Sequence, residues 1–271
     1  MSRTPTEPRD APPLDGYETF RVEADVSDRQ GAYQIGHAVY DSGGDGAPVL
    51  LLHELPGMTP ECLDLASRLR GEGFRVLMPL LFGEPGRTDS LGTLSNRCVR
   101  RDFAAWRRGD SGPVGDWFRG LVREVSDRAG GRAVGVIGMC MTGNFAVMLL
   151  AEPEVGGAVT CQPAPLVFPL FPPSNRADLG LSEAELEASR QRAEAMPKPA
   201  LLGYRFASDL LSPRARFRRL EDVFGDSFRG TEIPDLCFRH AVLTLHYSDK
   251  PESPTRKAFE EITAFFRDRL G

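Results

Sequence analysis

Residues 138–143 read Gly138-Met139-Cys140-Met141-Thr142-Gly143. An apolar run from Ala133 to Ile137 leads into them, and a second runs from Phe145 to Leu150. The first run is short, continuous and closed by glycine, as expected of a strand buried on both faces. The second reads as a buried helix. Between them lies a tight turn with Cys140 at its apex. A thiol at that point stands at a helix N-terminus, where unsatisfied N–H groups favour a negatively charged sulfur. The stretch therefore names a reactive atom and puts it at the carboxyl end of a buried strand.

Outward from this turn the chain alternates strands with helices. Glu18–Val26 and Tyr33–Tyr40 form an expected N-terminal antiparallel hairpin. Pro48–Leu52 and Arg75–Leu81 read as buried strands. Pro60–Gly73 reads as a helix that buries Leu63, Leu65, Ala66 and Leu69, and its glycines stop it. Helices are expected over Leu91–Arg108 and Val114–Ala129, with a turn at Gly109–Pro113 between them. A strand follows at Gly157–Cys161, then a Pro-rich stretch from Gln162 to Ser174. Ser182 and Glu185 form a capping box for a helix at Ser182–Ala195. Strands at Ala200–Phe206 and Phe228–Ile233 flank a helix at Pro213–Phe224. The last helix, Pro254–Leu270, carries Phe259, Ile262, Phe266 and Leu270 on one stripe. Such alternation predicts an α/β fold with a mostly parallel central sheet and helices on both faces. Residues 1–16 read as a flexible arm, and 17–271 as one domain with an insertion at about 163–197. Loops at the carboxyl ends of parallel strands are where such folds keep their sites.

Composition removes several function classes. The 271 residues carry a net charge of −5 with both signs scattered, so no basic face for nucleic acid is expected. No window reaches the ~18 apolar residues of a membrane span. The N-terminus is polar and Pro-rich, without the apolar core of a secretory signal. Five dispersed cysteines form no CxxC pair and no metal-ligand spacing, which fits a reducing, cytoplasmic setting. Four of them read as packing residues. The oligomeric state is not legible.

A cysteine nucleophile needs a base, a group to orient that base, and donors for an oxyanion. Asp209 lies just past a strand end, and His240 follows the last strand. Glu54, in Leu52-His53-Glu54-Leu55-Pro56-Gly57, also ends a buried strand. The order nucleophile, acid, histidine is that of α/β-hydrolases. These motifs, from about residue 45 to the end, resemble the dienelactone hydrolase family. The resemblance implies an α/β-hydrolase fold and a triad of Cys140, His240 and Asp209. It also implies a glutamate near the resting cysteine, matching Glu54, that helps deliver the thiolate. Oxyanion N–H groups would come from Leu55 and Met141. Where the family usually has Gly-Gly, this chain has Thr142-Gly143, which adds a Cβ in a tight place or a hydroxyl near the site. The family's substrate-carboxylate arginines are not matched to positions here.

Each residue has a plainer reading. Cys140 could be an inert buried thiol, Glu54 an ion-pair partner, and Asp209 the start of a turn before Pro213. His246 competes with His240 as the base. His53 reads as a packing or backbone-bonding residue, and His37 as a surface residue of the hairpin. Arg214, Arg216, Arg218 and Arg219 read as a solvated helix face. Phe168 and Phe171 either line an apolar pocket or pack the insertion. Gly109–Pro113 matches a serine-protease string but lacks its context, and no Gly-x-Ser-x-Gly occurs.

The leading expectation is a hydrolase that cleaves a small-molecule carboxylic ester or lactone through an acyl-Cys140, with no metal or organic cofactor. The alternative is a non-catalytic or redox-sensing member of the same fold with a reactive Cys140.

Overall fold

The computed structural model describes residues 12–28, 31–88, 111–164, 176–235 and 237–271. The helix expected at Leu91–Arg108, most of the N-terminal arm, Cys98, Phe168 and Phe171 lie outside the described residues.

The hairpin expected at the N-terminus is β1 (Glu18–Asp28) paired antiparallel with β2 (Gly31–Asp41). Then come β3 (Pro48–Leu52), α1 (Pro60–Gly71), β4 (Arg75–Pro79) and α2 (Gly112–Arg128). The elbow region gives β5 (Val134–Met139) and α3 (Met141–Leu149). After it come β6 (Val155–Cys161), α4 (Glu183–Glu194), β7 (Leu201–Phe206), α5 (Arg214–Phe224), β8 (Phe228–Ile233) and α6 (Pro254–Leu270). One eight-stranded sheet runs in the order β1-β2-β4-β3-β5-β6-β7-β8. β2 joins β4 antiparallel, and every pair from β4 to β8 is parallel.

Side-chain alternation along the strands sets the layers. Leu50 and Leu52 of β3 enter the core formed with α2, α3, α4 and α5, whereas Val49 and Leu51 enter the core under α1 and α6. Both faces are therefore apolar, which is why the central strands read as continuous hydrophobic runs. The stripe on α6 is buried as its spacing predicts, with Phe266 at 0 % exposure. Truncating such a ring costs about 3–5 kcal/mol.

The helix ends follow their cap chemistry. Thr59 accepts the Cys62 N–H (3.3 Å) ahead of Pro60. The capping box of Ser182 and Glu185 opens α4. That helix lies within the 163–197 segment read as an insertion. It packs Leu186 and Ala193 into the core, holds the Met148 carbonyl through Ser189 Oγ (3.1 Å), and provides the crossover that adjacent parallel strands require.

β3, β5, β6 and β7 are parallel neighbours, so their carboxyl ends share one edge of the sheet. The residues just beyond those ends include Glu54, Cys140, Gln162 and Asp209.

Candidate active site

Cys140 takes φ 54° and ψ −122°, a left-handed conformation that L-residues adopt only under constraint. Its N–H donates to Cys161 O (3.0 Å), and its carbonyl accepts from Gly143 (3.1 Å) and Ala164 (3.0 Å). Such a turn sends the helix off steeply and brings backbones very close. A Cβ on Gly138 would stand 2.3 Å from Thr142 O, and one on Gly143 would stand 2.9 Å from Thr160 Oγ1. Thr142 resolves as a tie rather than an intrusion. Its buried hydroxyl accepts from Met139 N–H (2.9 Å) and lies within donor reach of Leu52 O (2.9 Å) and Met139 O (2.8 Å). The elbow is thereby bonded to the end of β3, the strand that leads to Glu54.

Asp209 is 4 % exposed, in the loop after β7. Its Oδ1 accepts Leu211 N–H (2.9 Å) and Ser212 N–H (3.1 Å), which leaves Oδ2 to accept His240 Nδ1–H (2.8 Å). Two further residues, Arg205 and Ser208, hold this geometry. Buried Arg205 donates to the carbonyls of Ser212 (2.6 Å), Ala207 (3.2 Å) and Asp209 (3.3 Å), and pairs with Glu232. Ser208 N–H donates to Asp235 Oδ1 (2.9 Å), joining the Asp209 loop to the segment that carries His240.

The Cys140 sulfur, a Glu54 carboxylate oxygen and an imidazole nitrogen of His240 all lie within 4.8 Å of one another. Since Asp209 engages Nδ1, His240 presents Nε2 to the thiol. Among the described residues no other three His, Cys, Asp or Glu side chains converge this closely. Burial disfavours the His240 imidazolium, yet the contacts with Asp209 and Cys140 outweigh it and hold its pKa well above the ordinary value. The arrangement therefore favours an imidazolium beside sulfur.

Glu54 is buried, and burial raises its pKa. His240, Thr244 and Gln162 act in the opposite direction, and the charge of Asp209 adds to the rise. Thr244 Oγ1 donates to Oε1, and Gln162 Nε2 donates to Oε2 (3.2 Å). Leu55 follows on the same loop, and Met141 is the first residue of α3. As such Met141 has no intrahelical acceptor for its N–H.

His240, the histidine preferred over His246 as the base, is the one beside Cys140, and the His246 ring packs edge-on to Phe206 at 5.8 Å. Other expectations are corrected. His37 is not a surface residue. It packs edge-on to Trp117 at 4.8 Å and bonds Leu80 O, and burial lowers its pKa to about 4. Cys237 is exposed, whereas Cys62 and Cys161 are buried packing thiols as expected. Of the basic cluster on α5, Arg214 and Arg218 face solvent but Arg216 is 3 % exposed. Its Nη1 lies 3.5 Å from Asn144 Oδ1. Burial lowers its pKa to about 10, against the opposing pull of Asp178 and Cys140. Phe217 and Leu220 mark the buried side of α5, and Arg216 is adjacent to it, a signal available in the sequence. Gln162 and Thr244 carried no motif that could have singled them out.

The sheet order, the elbow and the convergence at the sheet's carboxyl edge define an α/β-hydrolase. The profile of the dienelactone hydrolase family matches residues 38–186. The chain belongs to the dienelactone hydrolase family. It is 31 % identical over 118 residues to a carboxymethylenebutenolidase from Rhodococcus opacus, a match that spans 42 % of each chain. Solved structures share the fold at low identity. A cold-adapted esterase from an Arctic intertidal metagenomic library superposes with a TM-score of 0.60 at 14 % identity, over 97 % of this chain and 99 % of that one. A dienelactone hydrolase from Anabaena variabilis gives 0.59 at 16 %, over 94 % and 100 %. No helix among the described residues is long and apolar enough to cross a membrane.

Proposed function

We propose that this protein hydrolyses a small-molecule carboxylic ester or lactone through a thioester on Cys140. The Cys140 thiolate would add to the carbonyl carbon, with its proton held by His240. The N–H groups of Leu55 and Met141 would hold the tetrahedral oxyanion; backbone donors fixed in place are worth about 2.7–4 kcal/mol each to such a state. Collapse would break the C–O bond, and His240 would return its proton to the leaving alkoxide. His240 would then take a proton from water as the water attacks the thioester, and the thiolate would leave. Asp209 would orient His240 and stabilise its cation. Glu54 would face the resting sulfur and gate its approach to the carbonyl when substrate enters, the proton staying on His240.

The observation that carries this reading is the 2.8 Å Asp209–His240 bond beside a cysteine at φ 54°. A free thiol nucleophile also suits a reducing cytosol. The test is turnover of aryl esters and enol lactones by wild type and Cys140→Ala. Equal rates would end the proposal. Selective alkylation of Cys140 without turnover of any ester would favour the redox-sensing alternative.

A further inference from the structure

Gln162 shares one property with Cys140. Among the described residues they are the two non-glycine positions with positive φ, 37° at Gln162 and 54° at Cys140. Such backbone strain persists only where the surroundings impose it. At Gln162 it is imposed by a backbone bond to Tyr204 O (2.6 Å) at the end of β6, beside the Cys140–Cys161 contact. The side chain is thereby turned inward to 0 % exposure. Its amide bridges two elements: Nε2 donates to Glu54 Oε2 (3.2 Å), and Oε1 accepts Val242 N–H (3.3 Å). Two residues further on, the buried Thr244 hydroxyl donates to the other Glu54 oxygen.

We propose that Gln162 and Thr244 are positioning residues for the reaction: together they hold the Glu54 carboxylate ionised and facing Cys140, and tie it to the segment that carries His240. The inference rests on the role proposed above for Glu54. The groups facing that carboxylate are Cys140 from the elbow, His240 and Asp209 from the loops after β8 and β7, Cys161 from β6 and Cys62 from α1. Burial pushes the Cys62 and Cys161 thiols up, so both stay neutral. Of these groups His240 alone can be cationic. The two neutral donors therefore act with His240 against the effect of burial on this carboxylate. Burial still leaves the Glu54 pKa raised, and losing these donors would raise it further and weaken its action on the sulfur as a charge.

The experiment uses Thr244→Val, which has the same shape without the hydroxyl, Thr244→Ser, which restores it, and Gln162→Met. Infrared difference spectra referenced to Glu54→Gln report whether Glu54 carries a proton, whatever the turnover. We expect Thr244→Val and Gln162→Met to move the Glu54 protonation step up by about one pH unit. The acid limb of Cys140 alkylation by iodoacetamide should move with it, and Thr244→Ser should restore both. Unmoved protonation and alkylation limbs in the folded variants, with rates lowered evenly across pH, would overturn the inference. Should Thr244→Val fail to fold, Gln162→Met decides alone. Ester turnover by Cys140→Ala at the wild-type rate would instead overturn the acyl-Cys140 reading, while the infrared result would still stand or fall by itself.

Discussion

The Thr142 hydroxyl lies 2.9 Å from the carbonyl oxygen of Leu52, so the turn that carries Cys140 and the strand that leads to Glu54 are bonded to each other across the sheet edge. The residue that departs from the family's usual glycine thus ties the turn that carries Cys140 to the strand that leads to Glu54.

Removing that hydroxyl has a defined expected effect. Thr142→Val keeps the shape but leaves Met139 N–H and Leu52 O without their buried partner. The unfolding free energy should fall by about 1–3 kcal/mol. Thr142→Gly should fall at least as far, since it also frees the helix backbone. Urea titration checks both. Stability unchanged in Thr142→Val would mean the hydroxyl bonds nothing that matters.

Asp209→Asn tests the orientation of His240. An amide at this position can still accept from Leu211 and Ser212, so the loop should hold. It no longer stabilises an imidazolium or selects the Nδ1–H tautomer. The expected loss in kcat is about 10³-fold or more, with thermal stability little changed. A loss below tenfold would show that His240 needs no acid partner.

Arg216 is buried, and Cys140 is among the groups whose charge opposes the fall in its pKa. Its replacement by Met should slow alkylation of Cys140 by the anionic reagent iodoacetate several-fold more than alkylation by neutral iodoacetamide. An unchanged ratio of the two rates would mean that the guanidinium serves packing alone.

Legibility differed between parts of the molecule for physical reasons. β3, β5 and β7 announce themselves because strands buried on both faces must be apolar throughout. Helices α4 and α6 do so through a capping box and a stripe of 3.6-residue period. Cys140, Asp209 and Glu54 were recognisable because each falls just past an apolar run. His240 was preferred to His246 only through the family resemblance, since neither lies in a regular element; Ser208 and Asp235 join the two loops that bring it to Asp209. Arg216 was misread because charge suggested solvent, while the turn of α5 buries it beside Phe217. Gln162 and Thr244 are ordinary polar residues whose roles exist only once Glu54 is placed between them.

His53 gives a pH-dependent prediction with a definite sign. Its ring is fully buried between two backbone groups, with Nδ1 3.1 Å from Glu54 O and Nε2 accepting Leu81 N–H (3.1 Å). That pattern requires the neutral Nδ1–H tautomer, because a proton on Nε2 would face the Leu81 N–H. Burial accordingly lowers its pKa to about 4, with the Glu54 carbonyl opposing and the His37 charge assisting. In the unfolded chain the same ring titrates near 6.5, so between about pH 6.5 and 4 the unfolded state binds more protons. Stability should therefore be fully present above pH 6.5 and fall as pH drops towards 4, by roughly 3 kcal/mol from this ring. His37 adds a fall over the same range, so His53 is isolated by comparison with His53→Asn, which retains an amide donor near the Nδ1 position. The variant should be less stable at pH 7 yet lose less stability between pH 6.5 and 4. Parallel stability curves for the two proteins across that range would show that His53 is protonated in the folded state as readily as in the unfolded one.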